Sequence, residues 1–436
     1  MSERSLTINE SDKYVFEKAV ITEDKYVFEK AVITEDNVPA QDSLHAWIVV
    51  FGSFLLLMVT VGTTNSFGVY LQEYQTEFPS TPKSTLTWIG SLQFGGMCFF
   101  GVLAGVLVER FDSRLVVFGG SIGAGAALLI SSACTSPVAL IITQGVLFGA
   151  FGSCILIPSI SMPSQWMEKY RALATGIAVA GGSIGGLWMS FATRAMNMQL
   201  GYHWSLRING FMVIVAGCAF SPLMRKRVVV PKRDKIIDFG ALTNAKFVLL
   251  FVSSLFAAGG YYAPYYYMPP YVETVLQRDG WSASISSILN AGSIVGRVVI
   301  GLLADYLGPL NSLLLSSVLS TIAVLVLWLP FKSLGTLVAS AVIFGFCSGS
   351  LVSLIPVITA NLFGIKRLSS TIGLLFISYT IGSFVCSPVA GSLLDKYGHG
   401  TDYTWTIVYA GLFFAIASCT LLVLRITIER SPFRKV

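Results

Sequence analysis

Twelve apolar stretches, each long enough to cross a bilayer as a helix, leave this chain few folds to choose from. A hydrocarbon core about 30 Å thick needs roughly 20 apolar residues in helix. Such runs fall at 46–70, 85–108, 115–134, 138–162, 172–193 and 206–224. After a basic gap they resume at 246–268, 282–304, 312–330, 333–357, 370–393 and 404–424. Strands of a membrane barrel would alternate with period two, and these runs do not. A soluble domain carries about 25% charged residues, against 12% here with 54% hydrophobic. A mean hydropathy of +0.71 agrees. The predicted fold is an all-α polytopic membrane protein, with twelve transmembrane helices in two six-helix halves.

The predicted organisation follows from the gaps. Residues 1–44 form a polar tail, expected to be disordered and without the apolar core of a signal peptide. Within it Asp12–Glu23 (DKYVFEKAVITE) recurs word for word as Asp24–Glu35, which reads as a tandem duplication rather than a docking element. The halves are predicted at 45–224 and 246–425, joined by a basic connection at 225–245 and followed by a short tail at 426–436. With both termini inside, the cytoplasmic segments hold 22 of the 29 Lys and Arg residues, and the outer connections hold five. Lys and Arg concentrate on the cytoplasmic side, so both termini are expected there, most simply in the plasma membrane.

Several function classes drop out. The chain has no Gly-Lys dipeptide, so it has no P-loop to draw on ATP. Its three histidines (His45, His203, His399) lie at predicted helix ends or loops, without metal or nucleophile spacing. The seven cysteines sit singly within or beside apolar runs, where thiols usually serve packing. No enzyme chemistry, metal, cofactor or nucleic-acid partner is therefore expected. No ring of charges or filter-like loop suggests a channel. A carrier in the lipid bilayer, moving a small organic solute, fits best, and a nutrient sensor without transport is the alternative class.

Candidate site residues follow from charge and depth. Arg297 lies eight residues before Asp305, roughly 12 Å along its helix. A charge at such depth costs at least about 2.5–3.5 kcal/mol on insertion scales, so it is expected to face a wet cavity and an anion. Asn65 and Gln93 are amides within the first two spans, able to donate and accept hydrogen bonds to a solute. Span seven holds two glycines and three prolines between Gly259 and Pro270, which should interrupt its helix. In it Tyr261 and Tyr265 share a face and are placed to stack on a flat solute, while Tyr266, Tyr267 and Tyr271 suit an interfacial belt.

The halves also repeat. Gly105 precedes Glu109-Arg110, with Arg114 following, at the end of the second span, and Gly301 precedes Asp305 at the end of the eighth. Glu109, Arg110, Arg114 and Asp305 are read as a latch whose ion pairs hold one conformation of two rocking halves.

These glycine–acid loops resemble the loop signature of the major facilitator superfamily. Trp166-Met-Glu-Lys-Tyr-Arg171 running into Ala180-Gly-Gly-Ser183 resembles the helix 5 entry of its monocarboxylate-porter family. Trp88-Ile-Gly-Ser-Leu-Gln93 and Asn65-Ser-Phe-Gly68 resemble that family's fungal branch. The resemblance covers nearly everything after residue 44. It implies rocker-switch alternating access, with protons as a coupling ion, and in the fungal branch either uptake of carboxylates or vitamins such as riboflavin or export of secondary metabolites. Animal members carry a lysine in helix 1 and an Asp–Arg pair in helix 8. The matching positions here are Asn65, Ser293 and Arg297, so specificity is expected to differ. Ser293 joins the candidate site on this basis. The expected solute is an organic acid or bulkier metabolite, moved outward.

Overall fold

The computed structural model describes residues 16–22, 25–31, 41–227, 243–278, 280–365, 368–382, 384, 387–398 and 402–429. The ends and centre of the sequence repeat, the middle of the basic connection and the last residues of the chain lie outside these.

Ten helices long enough to span follow one another: α1 (Leu44–Glu77), α2 (Thr85–Arg110), α3 (Ser113–Ser131), α4 (Pro137–Trp166), α5 (Arg171–Leu200), α6 (Tyr202–Leu223), α7 (Ala245–Thr274), α8 (Trp281–Leu307), α9 (Pro309–Trp328) and α10 (Leu334–Phe363). Two shorter helices, α11 (Leu368–Ile381) and α12 (Ser387–Tyr397), occupy the predicted eleventh span. A last long helix, α13 (Thr404–Ile428), closes the chain. Eleven of the described helices are thus long and apolar enough to cross a membrane. The protein is an integral, multi-pass membrane protein built as two halves, α1–α6 and α7–α13.

Local chemistry places the helix starts. The Asp112 carboxylate accepts the Arg114 N–H at 3.0 Å and opens α3. Ser136 and Ser333 accept from Ala139 and Thr336 at 3.2 and 3.3 Å, opening α4 and α10. Each satisfies an N-terminal donor that the helix itself leaves unpaired. Large apolar side chains such as Phe191, Val215 and Leu412 stay exposed, which suits helices solvated by lipid.

Two predictions need correction. Span seven is unbroken: α7 runs for 30 residues with Pro264, Pro269 and Pro270 inside it. Each proline removes one backbone donor, but neighbouring helices and hydroxyls hold such a helix together in a membrane. The tail is also not wholly irregular, because Phe16–Thr22 pairs antiparallel with Lys25–Ala31. The register sets Glu17 opposite Lys30 and Lys18 opposite Glu29, so the repeat's charges alternate favourably across the ladder. A lone two-stranded hairpin is only marginally stable in water.

The start of α1 and the end of α13 lie at one face of the protein, the terminal face. It also carries the α4–α5 and α8–α9 connections. Asp42, just before α1, accepts backbone N–H groups of Glu168 and Lys169 at 3.1 Å each. Arg425 donates to Asn311 at 2.9 Å.

Candidate functional site

The halves are bonded to one another at the terminal face by two matching devices. Asp305, at the end of α8, accepts the N–H groups of Ala172 and Leu173 at 2.9 Å each. These are orphan donors at the N-terminus of α5, where the helix dipole also favours an anion. Glu109, at the end of α2, accepts the Ser370 N–H at the N-terminus of α11 at 3.1 Å. One acid from each half therefore caps a helix of the other.

The glycine four residues earlier explains the shared spacing. A Cβ on Gly105 would stand 2.5 Å from the Ser369 carbonyl oxygen, and one on Gly301 would stand 2.8 Å from that of Ala172. Only a glycine lets the capped helix come so close. Replacing Gly105 with valine is expected to force α2 and α11 apart at the terminal face. Limited proteolysis of the connections there should become faster, while the same exchange at the exposed Gly119 should not change it.

Of the four predicted latch residues, only Glu109 and Asp305 are seen reaching the opposite half. Arg114 instead forms an exposed ion pair with Asp112 of its own helix at 2.7 Å. That contact holds the Asp112 carboxyl below its usual pKa. Arg110 is exposed beside Glu109. Two contacts missed in the sequence add to the seam. Arg171 donates to Asn361 of α10 at 2.8 Å, and the Ser161 and Ser369 hydroxyls meet at 2.9 Å.

Arg297 lies deeper along the same interface and is 8% exposed. Its guanidinium donates to the Val179 carbonyl of α5, in the other half, at 2.9 Å. Its Nε donates to the Ser293 hydroxyl one turn back at 3.4 Å. Guanidinium carries five N–H donors, and it forms no ion pair among the described residues. A buried cation with neutral partners and donors to spare is poised for an anion.

Tyrosines of α7 stand against it. The Tyr261 hydroxyl sits beside the Arg297 guanidinium. Tyr261 stacks on Tyr265 at 4.9 Å, and Tyr262 stacks on Tyr266 at 5.8 Å. Tyr261 and Tyr262 meet edge to face at 5.3 Å. Tyr262 lies near Cys98 of α2 and Tyr379 of α11, and Tyr379 also lies near Arg297. The buried Tyr379 hydroxyl has no hydrogen-bond partner. Aromatic faces can stack on a flat group, and a guanidinium can pair with an anion.

The structure thus brings Arg297, Ser293, Tyr261 and Tyr265 together. Asn65 lies elsewhere on the interhelical surface, exposed, with its amide donating to the Gly182 carbonyl at 3.3 Å. Gln93 is fully buried in α2, and neither amide atom has a partner. Tyr262 and Tyr379 were missed, while Tyr266, read as part of an interfacial belt, is exposed and stacks on Tyr262. The i, i+4 spacing of Tyr262 and Tyr266 repeats that of Tyr261 and Tyr265, and was the available signal for Tyr262. Tyr379 stands alone in an apolar run and offered none.

Comparison with known proteins agrees with this architecture. The profile of the Major Facilitator Superfamily matches residues 46–329 and 279–435. The MFS-type transporter pynF of Aspergillus niger is 32% identical over 396 residues, 87% of this chain and 90% of that protein. The Aspyridones efflux protein apdF of Emericella nidulans is 30% identical over 356 residues, 81% of this chain and 72% of that one. The Agnestins efflux protein AgnL12 of Paecilomyces divaricatus is 29% identical over 388 residues, 88% of each. Among solved structures, the transporter FucP in the outward conformation superposes with a TM-score of 0.68 at 14% identity, over 87% of this chain and 99% of that one. At that identity the likeness concerns the fold alone.

Proposed function

The chain belongs to the major facilitator superfamily, and on that premise we propose that this transporter exports an aromatic or otherwise flat organic acid of secondary metabolism. It is a carrier of small solutes and not an enzyme. The observation that carries the choice of solute is Arg297, a buried guanidinium bonded across the interface to neutral groups and flanked by stacked tyrosines. The outward direction is supported by the relatives, two of which are named as efflux proteins.

The same proposal places Glu109 and Asp305 as the latch of one state in a rocking cycle, with Arg297, Ser293, Tyr261 and Tyr265 contacting the solute. Asn65 and Gln93 are proposed to join them when the halves rock, and Gln93's unpaired amide supports this. The positive-charge bias supports a cytoplasmic terminal face in the plasma membrane. The helix 5 entry and helix 2 motifs support the fungal monocarboxylate-porter branch.

Comparing metabolites in cells and medium, with and without the gene, tests the function. Export requires an acidic metabolite that builds up inside the deletion strain and vanishes from its medium. A compound left unconsumed in the medium would reverse the direction, and unchanged metabolites would favour a sensor. Tyr261→Ala should raise the apparent KM for such a solute about three- to ten-fold, the span of one aromatic contact of about 0.5–1.5 kcal/mol. Tyr261→Phe, which keeps the ring, should stay near the parent in a direct uptake assay.

A further inference from the structure

We propose that this carrier moves its anion without a coupled proton, as an electrogenic uniporter, so that the membrane potential alone draws the anion outward. The inference rests on the anion-carrier reading above and adds its driving force.

A proton-coupled carrier needs a group at the site that binds a proton on one face and releases it on the other. The groups meeting Arg297 can be named element by element. Among the described residues, Ser293 meets it from α8, the Val179 carbonyl from α5 and Tyr261 from α7, Tyr379 of α11 lies near it, and Gly349 of α10 packs against its stem. None is a carboxylate or an imidazole. Guanidinium is not deprotonated in proteins, and a phenol ordinarily titrates near 10.

The whole sequence supports the same conclusion. No acidic residue occurs between Asp112 and Glu168, between Glu168 and Asp234, or between Asp305 and Asp395. The stretches from Glu77 to Glu109 and from Asp238 to Glu273 are equally without one. Nor is there one between Asp42 and Glu73, between Asp279 and Asp305, or between Asp402 and Glu429, so the middle of every span lacks a carboxylate. His45 and His203 lie at the starts of α1 and α6, far from mid-span.

Arg297 stays with α8 as the halves rock, so the charge that crosses is that of the solute. A monovalent anion is drawn outward by a negative-inside potential, and about 100 mV sustains about a fifty-fold gradient. Export then needs neither ATP nor a proton, although a proton-coupled carrier would have a second source of energy.

The test uses the purified full chain in sealed liposomes with 2-naphthalenesulfonate, a flat aromatic anion whose fixed charge cannot titrate. Counterflow of the labelled probe against trapped unlabelled probe reports carriage without regard to drive, and Arg297→Gln serves as its control. An inside-positive potassium potential of about 100 mV should then concentrate the probe about fifty-fold. Clamping the potential at zero should abolish accumulation even under an imposed pH gradient. Accumulation driven by the pH gradient at zero potential would overturn the proposal, as would exchange that responds to neither gradient. Loss of counterflow itself would instead remove the anion-carrier reading on which the proposal stands.

Discussion

Arg297→Gln is expected to lower transport at least about a hundred-fold while leaving the amount of protein in the membrane unchanged. A hydrogen bond to a charged group is worth about 1.5–3 kcal/mol. A carboxylate or enolate on guanidinium accepts two of these together, with attraction strengthened by burial. Losing about 3 kcal/mol alone is more than a hundred-fold. Glutamine is long and polar enough to keep a donor near the Val179 carbonyl, which Arg297 now satisfies at 2.9 Å. It also removes a charge whose burial is itself costly, so folding should not suffer. Arg297→Lys sharpens the result, because it keeps the charge and loses the planar fork. Intermediate flux in the lysine variant would show that geometry matters as well as charge. Undiminished flux in the glutamine variant would remove Arg297 from the site.

The helices were legible in the sequence because a bilayer dictates their length and composition. Each predicted run from 46 to 357 meets a long helix, and the run at 370–393 meets the shorter α11 and α12. Arg297 was legible for the same reason, since a lone charge deep in an apolar run demands an explanation. What failed was partner choice. Arg114 read as a latch because its loop motif holds it, yet a carboxylate two residues away was nearer than anything in the other half. The α7 prolines read as a break because proline is judged by rules for water, and a membrane helix has neighbours to absorb the lost bonds. The Asp42 clamp on the α4–α5 connection was invisible, since it joins residues 126 apart through backbone N–H groups. Distance in the chain hides such contacts, and backbone donors carry no sequence label.

Asp305→Asn is expected to open the terminal face. In the closed state its carboxylate accepts two N–H groups at the start of α5, at 2.9 Å each. Both bonds are charge-assisted, and the helix dipole adds to them. Asparagine keeps one acceptor oxygen and no charge, so the closed state should lose about 2–3 kcal/mol, a shift of roughly 30- to 150-fold in the open-to-closed ratio. Spin labels at Leu115 of α3 and Tyr306 of α8, both largely exposed, would report the separation of the halves in a cysteine-free background. The distribution should move to longer distances in the variant. Glu109→Gln acts on the α2–α11 seam and should shift it the same way. Because one transition opens both seams, the double variant should be more open than either single one. A transporter that must return through the closed state would then turn over more slowly, with its solute affinity on the open side raised, since less of the binding energy goes into unlatching. Unchanged distances in the Asp305 variant would mean that the caps follow closure rather than hold it. The Gly105 and Gly301 approaches would then be what keeps the halves together.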